Sequence, residues 1–221
     1  PSRTFSAAEN RQLQQRVMPW EESVLDQDYQ DAVSAFVSDQ FPGREGWMQL
    51  RSDILAALQE KNVEDVYIAN DDSLIQAFTP DMALAKKQVE AVNDFAARHE
   101  DMAVSLLLAP TRIAFAADTI SRDPSQPLQR DVYDELCGML NESVSNTDVW
   151  DTLQSHQDEY IYFYSDHHWT PLGAKYAAQT FLGETLDDYE SVNAVSGFHG
   201  SLSRQIAWTH AQDDLQLQLP K

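Results

Sequence analysis

Ten consecutive residues hold the groups in this chain best suited to chemistry: Tyr164-Ser165-Asp166-His167-His168-Trp169-Thr170-Pro171-Leu172-Gly173. Histidine exchanges a proton near neutrality, which suits a general base. Asp166 lies two residues before His168. In an extended turn, side chains i and i+2 point the same way. The carboxylate would then hold one imidazole nitrogen and leave the other free, as in a nucleophile–His–Asp triad. Trp169 would wall such a site or stack on a sugar ring. The plainer alternative is structural, with the histidines capping helix amides and Asp166 shaping a turn.

Two other chemistries share these letters. Manganese phosphoesterases use Asp-His-His as metal ligands, but they need further acidic and histidine motifs on earlier strands. No His-x-Asp-x-Asp element precedes Asp166, so no metal is expected. Membrane palmitoyltransferases need a cysteine where Trp169 stands, and membrane helices too.

These residues require particular supports. Ile161 to Tyr164 reads as a strand. Thr170 as N-cap, Pro171 in the first turn and Gly183 past Leu182 predict a helix between. The motif then lies at a strand's C-terminal end, where open α/β sheets bind ligands. Upstream, Val63–Ala69 and Leu74–Phe78 flank the turn signal Asn70-Asp71-Asp72 and predict a hairpin. Thr79-Pro80 predicts a helix start, with Leu84, Val89, Val92 and Phe95 buried on the way to His99. The apolar run Met102–Ala109 suits a buried parallel strand, and Pro110–Thr111 forms its corner. A loop over Arg122–Pro127 and helices over Asp131–Leu140 and Asp148–His156 follow. Beyond Gly183 the pattern is mixed. Alternating strands and helices give an α/β class with a three-layer core.

Residues 1–61 read as an N-terminal helical arm, and 62–221 as the α/β domain. Ser6-Ala7-Ala8-Glu9 resembles a capping box opening a helix that ends at Pro19. A second helix runs Glu21–Gln40, broken by Phe41-Pro42-Gly43-Arg44. A third reaches about Lys61, with Trp47, Leu50, Ile54, Leu55 and Leu58 along one side. Arg44 is read as an ion-pair partner holding the arm to the core.

Charge narrows the partners. Lys and Arg total 15 against 36 Asp and Glu, a net charge of −21. Such a surface repels phosphate backbones, so nucleic acid is excluded as a partner. Neutral polymers, cations and basic proteins remain. The single Cys137 forms no internal disulfide. No apolar stretch is long enough to span a bilayer. The chain begins at Pro1, so any targeting segment is expected to have been removed.

The stretch Ser165–Ala174, following Tyr160–Tyr164, closely resembles the signature of the bacterial DHHW protein family. Asp39-Gln40-Phe41-Pro42-Gly43-Arg44 with Trp47 resembles that family's N-terminal hallmark, and Phe198-His199-Gly200-Ser201-Leu202 also agrees. The family is similar to SGNH-hydrolase-like proteins that O-acetylate exopolysaccharides, such as the periplasmic alginate acetyltransferases. The resemblance implies a three-layer SGNH-like (flavodoxin-like) sheet, complete or partial. It implies Asp166 and His168 as the catalytic pair, with Trp169 beside them and His167 at the variable position. It further implies a carbohydrate polymer or acyl donor as partner, a membrane acyltransferase beside it, no cofactor, and an extracytoplasmic location. His167, Trp169, Tyr164 and Arg112 are the candidate substrate-binding residues, with Thr111 next to Arg112. The nucleophilic serine of those enzymes follows Gly-Asp, and no Gly-Asp dipeptide occurs here. That serine is therefore expected beyond the last residue or lost, with Ser201 or Ser203 as remote substitutes. The rival expectation is a non-catalytic module binding cell-envelope glycan or a protein.

Overall fold

A computed structural model describes residues 3–6, 11–16, 26–58, 62–116, 119–121, 125–186 and 188–221. Near the start, β1 (Phe5–Ser6) and β2 (Arg11–Gln12) pair antiparallel. The helix expected from Ser6 is therefore absent where the chain is described: Ser6 and Arg11 are both in strands. Residues 7–10 and 17–25, which include the rest of the expected capping box, Pro19, Val24 and Leu25, lie outside the described residues. The buried carboxylate of Asp39 anchors this ribbon. It accepts two hydrogen bonds from Arg11, at 2.6 and 3.0 Å, and one from the Gln14 N–H at 2.7 Å. The Arg11 bond holds the Asp39 carboxyl at about 2, against the opposing push of burial.

Helix α1 (Gln27–Asp39) starts at Asp26, whose side chain accepts from the Asp28 N–H. Helix α2 (Arg44–Ala57) follows the expected break. Its stripe of Trp47, Leu50, Ile54 and Leu58 faces solvent. Leu55 and Ala56 pack instead on the core, and buried Ser52 donates to the Ile206 carbonyl.

Strands β3 (Asn62–Val63), β4 (Val66–Ile68) and β5 (Leu74–Gln76) form an antiparallel sheet. The run expected as one strand from Val63 is cut by Glu64 and Asp65, with φ of 52° and 62°. Two positive φ values make the tight hairpin turn whose twist suits the flanking strands. The second hairpin lies where expected, with the Ser73 N–H bonded to Asp71 Oδ1 at 3.1 Å. One sheet face packs Val66, Ile68 and Leu74 against Leu202, Ile206 and Trp208. The other packs Tyr67 and Ile75 against Ile113 and Ala116. The sheet is thus covered on both sides.

Helix α3 (Met82–Arg98) begins one turn signal later than expected. Asp81, not Thr79, caps it, accepting from the Leu84 N–H. Val89 and Ala96 are its buried residues; Leu84 and Phe95 are exposed, so the helix is rotated from the expected face. Strand β6 (Val104–Leu106) lies in the expected apolar run. Helix α4 (Gln129–Cys137) leads to β7 (Val144–Asn146), which pairs with β6 in parallel. Helix α5 (Trp150–Ser155) follows. The strand expected over Ile161–Tyr164 reduces to one bridge, Tyr162 with Trp169. Helix α6 (Pro171–Leu182) has the cap at Thr170 and the Gly183 terminus that its sequence announces. The mixed tail resolves into β8 (Tyr189–Phe198), α7 (Ser201–Ile206) and β9 (Asp213–Pro220), with β8 and β9 antiparallel. The class is mixed α/β. Among the described residues the strands form four small sheets.

Gly173 sets how closely α6 approaches the motif segment. A Cβ there would overlap the Ile161 carbonyl and lie 3.2 Å from Trp169 Cβ. Gly173→Ala is therefore expected to cost about 1–3 kcal/mol through overpacking. Gly46→Ala, in α2 with nothing within 4 Å, is expected to gain about 0.5–1 kcal/mol from helix propensity. Urea unfolding of the two variants checks the opposite signs.

Candidate active site

The motif is a loop closed at its neck. The Phe163 N–H donates to the His168 carbonyl at 3.2 Å, and the Thr170 N–H to the Ile161 carbonyl at 2.8 Å. The Thr170 hydroxyl donates to the Tyr160 carbonyl at 2.6 Å. Behind the loop sits Asp213, the first residue of β9 and only 2% exposed. Its Oδ1 accepts from the Tyr160 hydroxyl at 2.6 Å and the Tyr164 N–H at 2.7 Å. Its Oδ2 accepts from the Ser165 N–H at 2.7 Å and from the Ser165 hydroxyl. Burial first, and then Asp213 as acceptor, push the Tyr160 phenol far above its ordinary value.

Ser165 passes this constraint forward. Its oxygen Oγ accepts from the Gly200 N–H at 2.7 Å. Its carbonyl accepts from the N–H groups of Leu202 and Ser203, each at 3.1 Å. Gly200 must be glycine at this contact, because a Cβ would stand 2.5 Å from Asp166 Cβ. The first turn of α7 is thereby pressed against the motif.

The Asp166 carboxylate gathers the titratable groups. Its Oδ1 accepts from the His168 backbone N–H at 3.0 Å and from His168 Nδ1 at 2.6 Å. Its Oδ2 accepts from the Ser201 N–H at 2.7 Å. Burial alone would raise its proton affinity, but the bonds from Ser201 and His168 hold it well below the ordinary carboxylate range. An ionised Asp166 requires a proton on His168 Nδ1, so in the neutral ring Nε2 carries the lone pair. His168 Nε2 makes no hydrogen bond among the described residues, and the side chain is 65% exposed. The i, i+2 geometry expected from the sequence is formed.

His167 has another partner. Its Nδ1 lies 2.9 Å from Ser201 Oγ, and its ring centroid lies 3.9 Å from that of His168, the planes tilted by 37°. Burial and then the neighbouring His168 lower its proton affinity, opposed by Asp166. The Ser201 side chain also bonds the Asp166 carboxylate, and that bond helps to lower the proton affinity of Asp166. Ligand atoms of Asp166, His167 and His168 lie within 4.8 Å of one another and, among the described residues, form a set that could hold a cation. A cation there would have to replace the His168–Asp166 and His167–Ser201 hydrogen bonds.

The other candidates fall into two places. Trp169 is half-buried and packs on the cluster of Val149, Leu153, Ile161 and Ala177. Tyr164 and Arg112 face each other across 5.2 Å and line a cavity of about 380 Å³ with Phe115 and Tyr162; His168 does not line it. The Thr111 N–H is bonded to Gln129. Ser201 opens α7 directly after β8 and Gly200, so a strand-to-helix turn stands where none was legible. Ser203 is buried, 3.5 Å from the Ala211 carbonyl. His199, without a readable partner in the sequence, bonds to the same carbonyl at 2.9 Å. Asp213 was missed altogether. The alternation Leu215-Gln216-Leu217-Gln218-Leu219 marks its strand, but nothing local marks the partner 48 residues upstream.

A carboxylate-oriented imidazole on a mixed α/β frame defines the class of the molecule. Residues 52–206 match the DHHW protein family, and the chain belongs to that family. The hallmark at Asp39–Arg44 lies outside the matched residues. Several solved structures share the fold. A DHHW family protein from Eubacterium siraeum is 23% identical, with a TM-score of 0.57; the match covers 67% of this chain and 51% of that one. The O-acetyltransferase domain of Pseudomonas putida AlgJ is 18% identical, with a TM-score of 0.55, over 71% and 65%. Bacillus cereus PatB1, solved with a sulfonyl adduct, is 16% identical, with a TM-score of 0.58, over 72% and 58%. The chain thus spans 51 to 65% of the length of these structures. No curated protein matches it.

Asp213→Ala would strand two backbone N–H groups and the Ser165 hydroxyl, while the Tyr160 hydroxyl keeps the Asp214 carbonyl at 3.3 Å; it is expected to cost about 3 kcal/mol or more, at about 1–3 kcal/mol for each of the three unsatisfied groups. Asp213→Asn keeps one acceptor and is expected to cost less; chemical denaturation ranks the two. The depressed His167 has a consequence for pH. The unfolded chain binds its proton first, near 6.5. The corresponding stability is present above that value and is lost as pH falls through the lowered folded value. Unfolding curves between pH 8 and 5 are expected to show this slope in the parent protein and less of it in His167→Gln.

Proposed function

We propose that this chain carries the acid–base half of an extracytoplasmic carbohydrate O-acetyltransferase or esterase. The supporting observation is the 2.6 Å bond from His168 Nδ1 to an ionised Asp166, which leaves Nε2 unbonded and open to solvent. In this reading Nε2 removes the proton from an attacking hydroxyl as its oxygen adds to the acyl carbonyl. The proton then passes to the departing oxygen as the tetrahedral intermediate collapses. Asp166 fixes the tautomer and stabilises the imidazolium. The acyl group passes to a sugar hydroxyl, or to water in an esterase.

The O-acetyltransferase domain among the shared folds supports the reading. A three-layer SGNH-like sheet, complete or partial, a carbohydrate polymer or acyl donor, and a membrane acyltransferase beside the protein belong to the same proposal. Ser201 is not assigned as the nucleophile. Its hydroxyl lies on His167 rather than on the acid-held His168, and the following amides of Leu202 and Ser203 already donate to Ser165. No free donor pair remains at that turn for an oxyanion.

Hydrolysis of 4-nitrophenyl acetate by the native full-length protein tests the reading. His168→Ala is expected to lower kcat/KM by roughly 10²–10⁴, the usual weight of a general base. Asp166→Asn is expected to fall as well, through the wrong tautomer, and Ser201→Ala is expected to keep most of the rate. A rate unchanged by His168→Ala, or none above background in the parent, would overturn it and leave a glycan- or protein-binding module.

A further inference from the structure

A cavity of about 550 Å³ lies between α2 and the corner where β8 passes into α7. That volume is mid-range for a small-molecule site. Met48, Phe198, Ala207 and Trp208 supply its apolar walls, and Gly46 and Gly197 add bare backbone. The polar side chains on the lining are mostly engaged with the protein. Thr209 donates its hydroxyl to Gln49 at 2.9 Å. The Trp208 indole N–H donates to the Asp72 carbonyl at 2.9 Å, and His199 Nδ1 to the Ala211 carbonyl at 2.9 Å. Water in such a space finds few unfilled partners, so an apolar ligand displaces it at little cost.

One charge on the lining is uncompensated. Arg204 Nη1 donates to the His199 carbonyl at 2.6 Å, and among the described residues this guanidinium makes no ion pair. The acid on the lining, Glu45, is held by other groups. Its Oε1 accepts from Arg3 at 3.2 Å and from the Ser6 hydroxyl at 3.1 Å. Two further acids are bonded to lining residues without lining the cavity themselves. Asp53 Oδ1 accepts from Gln49 and His210, each at 3.2 Å, and Asp214 Oδ1 from the Gly197 N–H at 3.0 Å. With Glu45 neutralised by Arg3, Arg204 leaves one positive charge beside apolar walls. A planar guanidinium suits a carboxylate.

We propose that this cavity binds a medium-chain fatty acid, its aliphatic chain against Phe198 and Trp208 and its carboxylate on Arg204. The chain supplies most of the affinity, about fourfold for each methylene buried. The guanidinium selects the head group. The site lies apart from Asp166 and His168, and the proposal does not rest on the proposed function.

Calorimetric titration of the native protein with decanoate, octanoate, decanol and decyltrimethylammonium, each below its micellar or solubility limit, tests the proposal. Decanoate is expected to saturate one site and to bind about tenfold more tightly than octanoate, which is two methylenes shorter. The net charge of −21 by itself favours the cationic amphiphile. Tighter binding of decanoate than of decyltrimethylammonium therefore requires a local site of the opposite sign. Gly46→Phe fills the cavity from α2, where a Cβ meets nothing within 4 Å, and is expected to abolish decanoate binding. Arg204→Gln is expected to bring decanoate down to the level of decanol. If Arg204→Gln fails to fold, Gly46→Phe and the head-group comparison still decide. No saturation by decanoate, equal or tighter binding of the cationic amphiphile, full binding in Gly46→Phe, or an unchanged preference over decanol in folded Arg204→Gln each overturn it.

Discussion

The buried carboxylate of Asp213 is the constraint on which the motif depends. Removing an ionised carboxylate from water costs several kcal/mol unless hydrogen bonds replace its hydration. Here Tyr160, Tyr164 and Ser165 supply four donors from one short segment. Because all four must be satisfied together, residues 160–165 have little freedom to shift. Ser165 carries the constraint on to the first turn of α7, and α7 returns it to Asp166 through the Ser201 N–H. The orientation of His168 is therefore set by strand β9 as much as by its own sequence neighbours.

Two adjacent histidines acquire different tasks from this arrangement. Both rings lie near Asp166, but only His168 takes its carboxylate at hydrogen-bond distance; His167 stands 3.7 Å away. His167 is turned to Ser201, and partial burial keeps it neutral. Environment, not residue type, assigns the roles. The acid holding His168 is itself held ionised by a backbone N–H from a distant helix.

What the sequence disclosed depended on range. The cap at Thr170, the Pro171 start and the Gly183 stop are local signals, and α6 follows them. The i, i+2 relation of Asp166 and His168 is equally local. The first hairpin turn was hidden because Glu64 and Asp65 take positive φ without the usual Asn-Gly signature. Ser6 lies in a strand, and the ribbon it belongs to is tied down by the Arg11–Asp39 pair, which joins residues 28 apart. Asp213 was illegible for the same reason. A carboxylate acquires its meaning from donors that no spacing rule places beside it. Leu84 and Phe95 show the converse, since helical periodicity gives a face but not which neighbour will cover it.

The turn at Gly200 and Ser201 has the outline of a nucleophile elbow, a strand followed by a tight turn and a helix. Its hydrogen bonds argue for a different use. An elbow exposes a hydroxyl and keeps nearby amides free for a developing oxyanion. This turn spends Gly200, Ser201, Leu202 and Ser203 amides on Ser165 and Asp166. It is a clamp on Ser165 and on the acid that holds His168. Under the proposed function, the reacting hydroxyl and its oxyanion donors then come from other residues, meeting His168 at the nitrogen this clamp leaves unbonded.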